Sequence, residues 1–339
     1  MSSEILSTLL LEYDQKKRKA ELDLERRKQE LYTKFPRLQE IETELNNFAI
    51  NTAKNILKNS STSCSSLTNL NETVSKLKIE KEKILKDNKI PNNFLEPYYD
   101  CNICKDTGYV QVKTSASSVC SCLKQKLLDI SYNKSNISNL GKENFETFNL
   151  NIFSDEVNYE KYKMNVSPRQ NMLTIKAKCL EFIDNFDNPE SHNLLFTGNT
   201  GLGKTFMSNC IANELIKKGK NVLYQTAPVL LETVIDNKMN KYKTTSQDNF
   251  YKDVLETDLL IIDDLGTECL NSMKLSELFT ILNTRLLNLN NKVTKTIIST
   301  NLNINNIFKN YEERIGSRIA GFYDIYYFFG NDLRFKQKR

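Results

Sequence analysis

Residues 193–205 read NLLFTGNTGLGKT. Asn193 to Thr197 form a short apolar run suited to a strand, and Lys204 to Lys218 carries a helical pattern. Between them, Gly198, Asn199, Thr200, Gly201, Leu202, Gly203, Lys204 and Thr205 match G-x-x-x-x-G-K-[ST]. The glycines let the backbone curl so that successive N–H groups converge on phosphate oxygens, and the dipole of the following helix adds to that field. In such a loop Lys204 reaches the β- and γ-phosphates and the Thr205 hydroxyl ligates Mg²⁺. A chance glycine-rich turn would produce the same letters only without the strand before and the helix after.

Outward from this loop, short apolar strands alternate with amphipathic helices. Strands are expected at Asn221–Thr226, Asp258–Asp263, Thr296–Thr300 and Asp324–Phe329, and a helix at Leu275–Leu289. Continuous apolar strands separated by helices predict an α/β fold with a central parallel sheet covered on both faces. A phosphate loop needs a second Mg²⁺ anchor at a neighbouring strand tip, and LLIIDD at 259–264 supplies it. Asp263 would hold the metal, directly or through water, and Asp264 would orient and deprotonate the attacking water. A strand ending in a polar turn, Asp264-Leu265-Gly266, is the structural alternative.

The chain ahead of this domain is different. Residues 1–95 are helix-forming and charged, with Leu24, Leu31, Leu38 and Leu45 at a seven-residue spacing and Phe35, Ile41 and Phe48 in alternate seam positions. That is the pattern of a coiled coil or helical hairpin. Pro36 lacks an N–H and must end one helix near Lys34. A polar linker follows at 59–66 (NSSTSCSS), then a third helix with Leu70, Val74, Leu77, Ile84 and Leu85 along one side. The region reads as a spacer or as a docking module for a partner protein. Residues 96–126 form a cysteine module, 127–166 a connector and 167–339 the α/β domain.

Four of the eight cysteines cluster as Cys101-x₂-Cys104, fifteen residues, then Cys120-x-Cys122. Two close pairs of thiolates suit a structural Zn²⁺ site, with iron–sulfur ligation as the rival and Gly108 suited to a hairpin between the pairs. Cys64, Cys179, Cys210 and Cys269 lack partners at metal spacing and read as buried small hydrophobes. His192, the only histidine, reads as a surface residue. No window approaches ~18 uncharged apolar residues, so a membrane span is not expected. MSSEILSTLLLEYDQ lacks the features of a secretion signal, so a cytoplasmic protein is expected. A net charge of +5 permits a nucleic-acid partner without requiring one, and 10 Gly, 6 Pro and no Trp disfavour a turn-rich all-β chain.

The loop at 198–205, LLIIDDLGTE at 259–268, IISTN at 297–301 and ERIGSRI at 313–319 together resemble an AAA+ ATPase of the DnaC/DnaI type. These are bacterial loaders of the replicative helicase, with IstB-type transposition helpers as near relatives. The resemblance covers about 140 to 339, and the cysteine segment with its helical leader is similar to a loader subtype. It implies ATP as nucleotide, with Asn301 as the polar residue that contacts the γ-phosphate or attacking water. Arg318 matches the arginine finger that serves a neighbouring subunit, with Arg314 as fallback, and Arg334 resembles a nucleotide-sensing arginine acting in cis. Asp264 stands where AAA+ proteins usually have a glutamate. With the chain ending about ten residues after DIYYFFG, no helical lid is expected, and Phe145 and Phe148 could help form the adenine pocket. The implied partners are a helicase hexamer, other copies of the chain in an ATP-bound spiral, and single-stranded DNA through Lys238, Lys241, Tyr242 and Lys243. An IstB-type transposase helper, a phage or mobile-element replication ATPase and a nucleotide-gated adaptor are the alternatives.

Overall fold

The computed structural model describes residues 3–57, 64–111, 117–130, 142–239, 245–287 and 292–335. The chain divides into two compact units, Thr8–Ser118 and Met1–Ser7 with Val119–Arg339. No helix among the described residues is long and apolar enough to cross a membrane.

In the first unit, α1 (Ser3–Lys34) and α2 (Pro36–Leu57) are interrupted where Pro36 takes the first helical position, the one at which a missing N–H costs least. Tyr32 donates to the Glu42 carboxylate, ten residues on. A straight helix would hold these residues about 15 Å apart, so the chain folds back at the proline. Glu42 also accepts from Lys28 at 3.1 Å and from Lys81 at 2.8 Å, the latter on α3 (Cys64–Asp87). Burial alone would raise its pKa, but the bonds from Lys81, Tyr32 and Lys28 bring it down to about 2. Leu31 and Leu38 pack with Leu85 and Leu95 into a small core. Ile41 is buried too, whereas Leu24, Phe35, Leu45 and Phe48 are half-buried. The heptad is therefore closed at its centre only, because the hairpin brings its middle against α3 and the turn at 92–95.

The strands β1 (Tyr109–Gln111) and β2 (Ser117–Val119) pair as a small sheet, followed by α4 (Ser121–Leu128). Residues 142–166 hold a single turn at Leu150–Ile152 and α5 (Tyr159–Tyr162). This stretch packs closely on the α/β domain: Phe153 is buried in its core, with Phe145, Phe148, Leu150 and Ile152 against it.

The second unit continues with α6 (Pro168–Asp184), β3 (Asn193–Gly198), α7 (Lys204–Lys217), β4 (Val222–Thr226), α8 (Ala227–Met239), α9 (Thr245–Glu256) and β5 (Leu259–Leu265). After these come α10 (Ser272–Leu286), β6 (Lys295–Thr300), α11 (Ile304–Asn310), α12 (Glu312–Phe322) and β7 (Tyr323–Phe328). The sheet runs β4-β5-β6-β3-β7 with every pair parallel. One face is covered by α6 and α7 around Phe196, Ile211, Tyr224 and Ile261. The other is covered by α8, α10 and α12 around Leu195, Leu230, Ile262 and Ile298. This is the parallel α/β architecture expected of an AAA+ domain, and the strand register puts alternate residues of β3, β5 and β6 on opposite cores, as a twofold side-chain period requires.

At the end of the sheet away from the loop, the fully buried Arg285 donates to Thr296 Oγ1 at 3.0 Å and to the carbonyls of Val254, Thr257 and Lys295 at 2.8, 3.0 and 2.6 Å. Burial lowers its pKa to about 10. A guanidinium has five donors in a fixed fork and tolerates such a site when nearly all are used. It ties α10 to the turn before β5 and to the start of β6.

Candidate functional site

The loop 198–203 leaves β3 at its carboxyl end, where ligands bind in open parallel sheets. Gly201 and Gly203 adopt φ of 75° and 91°, conformations that a side chain would strain. A Cβ on Gly201 would also collide with the Asp332 carboxylate. Lys204 is buried, and its Nζ donates to the carbonyls of Gly198 and Asn199 at 2.7 and 2.8 Å. Burial lowers its pKa, while Asp264 and Asp263 oppose that shift.

Thr205 Oγ1 donates to Asp263 Oδ2 at 3.0 Å. Asp263 is itself buried and receives two further hydroxyls, Tyr224 on Oδ2 and Ser299 on Oδ1. Asp264 points elsewhere. Consecutive residues of a regular strand face opposite ways, but here β5 bulges: Ile262 pairs with Ile298 and Leu265 with Thr300, three residues against two. Asp264 sits at the bulge with φ of 54°, and its N–H is satisfied by Ser299 Oγ at 3.1 Å. The kink leaves Asp264 exposed beside Lys204 in a cavity of about 510 Å³. The Asp264 carboxyl is only partly withdrawn from water by the cavity walls, and that desolvation first, and then the charge of Asp263, raise its pKa.

That cavity is lined by Thr200 to Phe206 of the loop and helix, by Asp264, Leu333 and Arg334, and by Phe148 and Phe153 from the connector. Phe148 lies 6.0 Å from both Phe153 and Phe206. Of the two connector phenylalanines singled out above, Phe148 lines the cavity and Phe145 packs in the core beside it. The segment after β7 lies over the loop through Leu333 N to Gly201 O at 2.9 Å, which carries Arg334 to the cavity wall. Asn301 lines a second cavity of about 400 Å³ with Asn199, Thr200 and Asp332.

Arg318 and Arg314 are not part of this constellation. Among the described residues neither lines either cavity. Arg318 donates to Asn283 Oδ1 at 2.8 Å, and both arginines stack on the Phe279 ring, at 4.4 and 4.7 Å from its centroid. Lys238 is engaged by Glu277 at 2.7 Å and by the Tyr251 ring. Lys241, Tyr242 and Lys243 lie outside the described residues.

Several residues of the site carry no local sequence signal. Tyr224 and Ser299 are two of several hydroxyl residues in β4 and β6, with nothing in the sequence to set them apart from Thr226, Thr296 and Thr300. Glu143, which lines the cavity and accepts from Asn209 at 2.6 Å, and Asp332 sit in irregular segments.

Cys101, Cys104, Cys120 and Cys122 come together, their sulfurs all within 4.8 Å of one another. Asp106 shapes the knuckle by accepting from the N–H groups of Asp100 and Cys101, each at 2.9 Å, and Gly108, at φ of 76°, leads from this turn into the paired strands β1 and β2. Soft thiolates arranged this closely are able to hold one metal ion. Cys179 and Cys210 are buried, and burial raises the Cys210 thiol to about 12. Cys269 departs from the expectation: it is exposed, because it follows the turn beyond β5. The Cys64 side chain lies outside the described residues. His192 is at the surface, with Nδ1 3.0 Å from Asp324.

A family profile described as IstB-like ATP binding protein matches residues 126–314, over half of the chain. Over 110 residues the chain is 29% identical to the replicative helicase loader DnaC of Escherichia coli (strain K12), covering 32% of this chain and 42% of that protein. Over 154 residues it is 32% identical to the chromosomal replication initiator protein DnaA of Buchnera aphidicola subsp. Cinara cedri, 44% of this chain and 33% of that protein. A crystal structure of the DnaC helicase loader aligns over 57% of this chain and 99% of that one, at 22% identity and a TM-score of 0.44. The chain spans less than half the length of these two curated relatives.

The geometry sets Lys204, buried against the loop carbonyls, apart from Asp264, exposed in the cavity. Lys204→Ala should weaken ATP binding ten- to a hundredfold, since a buried charge-assisted contact is worth about 1.5–3 kcal/mol. Asp264→Asn should bind ATP like wild type and lose turnover. Titration of a fluorescent ATP analogue beside phosphate-release kinetics checks both, and equal affinity in wild type and Lys204→Ala would contradict the assignment.

Proposed function

The chain belongs to the IstB-like ATP-binding protein family, and on that premise we propose that it is an ATPase that loads the replicative DNA helicase. The observation that carries the ATPase reading is the pairing of Thr205 with Asp263 below a cavity into which the β5 bulge delivers Asp264. An all-oxygen pair of hydroxyl and carboxylate fits a hard cation such as Mg²⁺. Thr205 and Asp263 would hold that ion against the phosphates, where it would neutralise developing charge on the transferred phosphoryl group. Lys204 and the loop amides bind the phosphates, Asp264 accepts a proton from the attacking water, and Asn301 orients that water. Arg334 contacts nucleotide from its own chain.

Hydrolysis is proposed to occur between subunits. Support comes from Arg318, whose fork is held by Asn283 and Phe279 away from its own cavity. An arginine so restrained is suited to a neighbouring copy's γ-phosphate. Single-stranded DNA is the proposed nucleic-acid partner, through the segment after α8. The helical region 1–95 and the cysteine module would grip the helicase hexamer, and a cytoplasmic location follows from that role. The helical leader with its Cys₄ cluster favours the loader reading over the alternative of a transposase helper.

The test of the loader reading uses Asp264→Asn protein, held with ATP, as bait in extract of the native host. Recovery of the replicative helicase supports loading, while recovery of a transposase in its place would establish the alternative.

Zinc is the metal proposed for Cys101, Cys104, Cys120 and Cys122. Protein purified without added metal should contain about one zinc per chain, and Cys101→Ser with Cys104→Ser should lose it while keeping ATP affinity. Iron together with a brown colour would overturn this.

For the shared site, neither Arg318→Ala nor Lys204→Ala should hydrolyse ATP alone. Their mixture should recover part of the wild-type rate, because one supplies an intact loop and the other an intact finger. A mixture that stays inactive while wild type is oligomeric and active would transfer the role to Arg314.

A further inference from the structure

The Asp263 carboxylate is buried in the sheet, and both its oxygens are occupied by side chains from three separate elements. Oδ2 accepts from Thr205 on α7 and from Tyr224 on β4, and Oδ1 accepts from Ser299 on β6. The Thr205 contact belongs to the phosphate-loop chemistry described above. The other two do not. Tyr224 pairs across the sheet with Ile261, two residues before Asp263 and on the same face, so its ring lies along β5 and its hydroxyl reaches the carboxylate. Ser299 pairs with Phe196 of β3, also on that face, and links Asp263 to the Asp264 N–H.

We propose that Tyr224 and Ser299 are positioning residues for the nucleotide's Mg²⁺, holding the Asp263 carboxylate in the one orientation that meets the ion beside Thr205. This rests on the ATPase reading above. A carboxylate with both oxygens anchored cannot rotate to meet the metal from another angle, and partners of this kind typically control metal affinity ten- to a hundredfold. Ser299 adds a second consequence. The same hydroxyl that fixes Asp263 accepts from the bulge amide, so the metal-facing and water-facing aspartates share one reference point.

Removing the hydroxyl while keeping the ring tests this. The readout is equilibrium binding of a fluorescent ADP, measured in EDTA and across a Mg²⁺ titration, so no turnover is needed. Tyr224→Phe should bind nucleotide like wild type in EDTA and need about tenfold or more Mg²⁺ to reach the tight state. Ser299→Ala should move in the same direction, and it keeps the test available if the tyrosine variant folds poorly. Leu223→Ala, buried on the opposite face of β4, is the control for a merely structural role and should lower thermal stability without moving the Mg²⁺ midpoint. Wild-type Mg²⁺ dependence in both Tyr224→Phe and Ser299→Ala would overturn the proposal. Asp263→Asn separates the levels. If it loses the Mg²⁺ effect and the hydroxyl variants do not, only this inference fails. If it retains the effect, the metal assignment beneath it fails as well.

Discussion

A carboxylate placed inside a sheet must be hydrogen-bonded or it will not remain there as an anion. Asp263 meets that demand with three hydroxyls, and the demand reaches through the whole α/β unit. The donors arrive from α7, β4 and β6, so the order β4-β5-β6, the parallel register and the descent of α7 onto this face must all hold together. The neighbouring strands bring Tyr224 and Ser299 within reach because each sits on the same pleat as its partner on β5 or β3. A slip of one residue on either strand would turn its hydroxyl to the other face. The site and the sheet register are thus one constraint.

How far this is legible in the sequence depends on whether the physics is local. The strand, glycine loop and helix at 193–217 are readable because their backbone geometry demands particular residues at particular spacings. The parallel α/β fold is readable because strands buried on both faces are apolar throughout. The cysteine cluster is readable because chelation also imposes short spacing. Tyr224, Ser299, Glu143 and Asp332 are not, since each acquires its neighbours only when distant segments meet. The bulge at Asp264 is hidden for another reason: DD at the end of an apolar strand reads the same whether the second residue continues the pleat or breaks it. Cys269 illustrates a limit of composition. Cysteine is usually buried, but a position just past a strand-end turn overrides that preference.

The N-terminal helices mix the two cases. Pro36 announces the break between α1 and α2, while the ion cluster at Glu42 unites residues from three helices and has no local signature. The seven-residue repeat suggests a long seam, yet only its centre is enclosed. Periodicity reports that a stripe is apolar; it does not report how much of the stripe finds a neighbour.

The bulge in β5 also absorbs a residue without disturbing the chain that follows it. Because β5 carries one residue more than β6 across this interval, Leu265 returns to the core and Glu268 turns inward to receive the Gly266 N–H and the Tyr311 hydroxyl, just ahead of α12. Deleting one aspartate would straighten the ladder and still leave Leu265 opposite Thr300, since the two strands would then both advance by two residues. What the deletion would remove is the break in the pleat, leaving one carboxylate where two now point different ways. Grafting this strand into another scaffold, or aligning it residue by residue with an unbulged relative, therefore has to carry the extra residue as a unit. In the ladder's count, the two adjacent aspartates take up a single step.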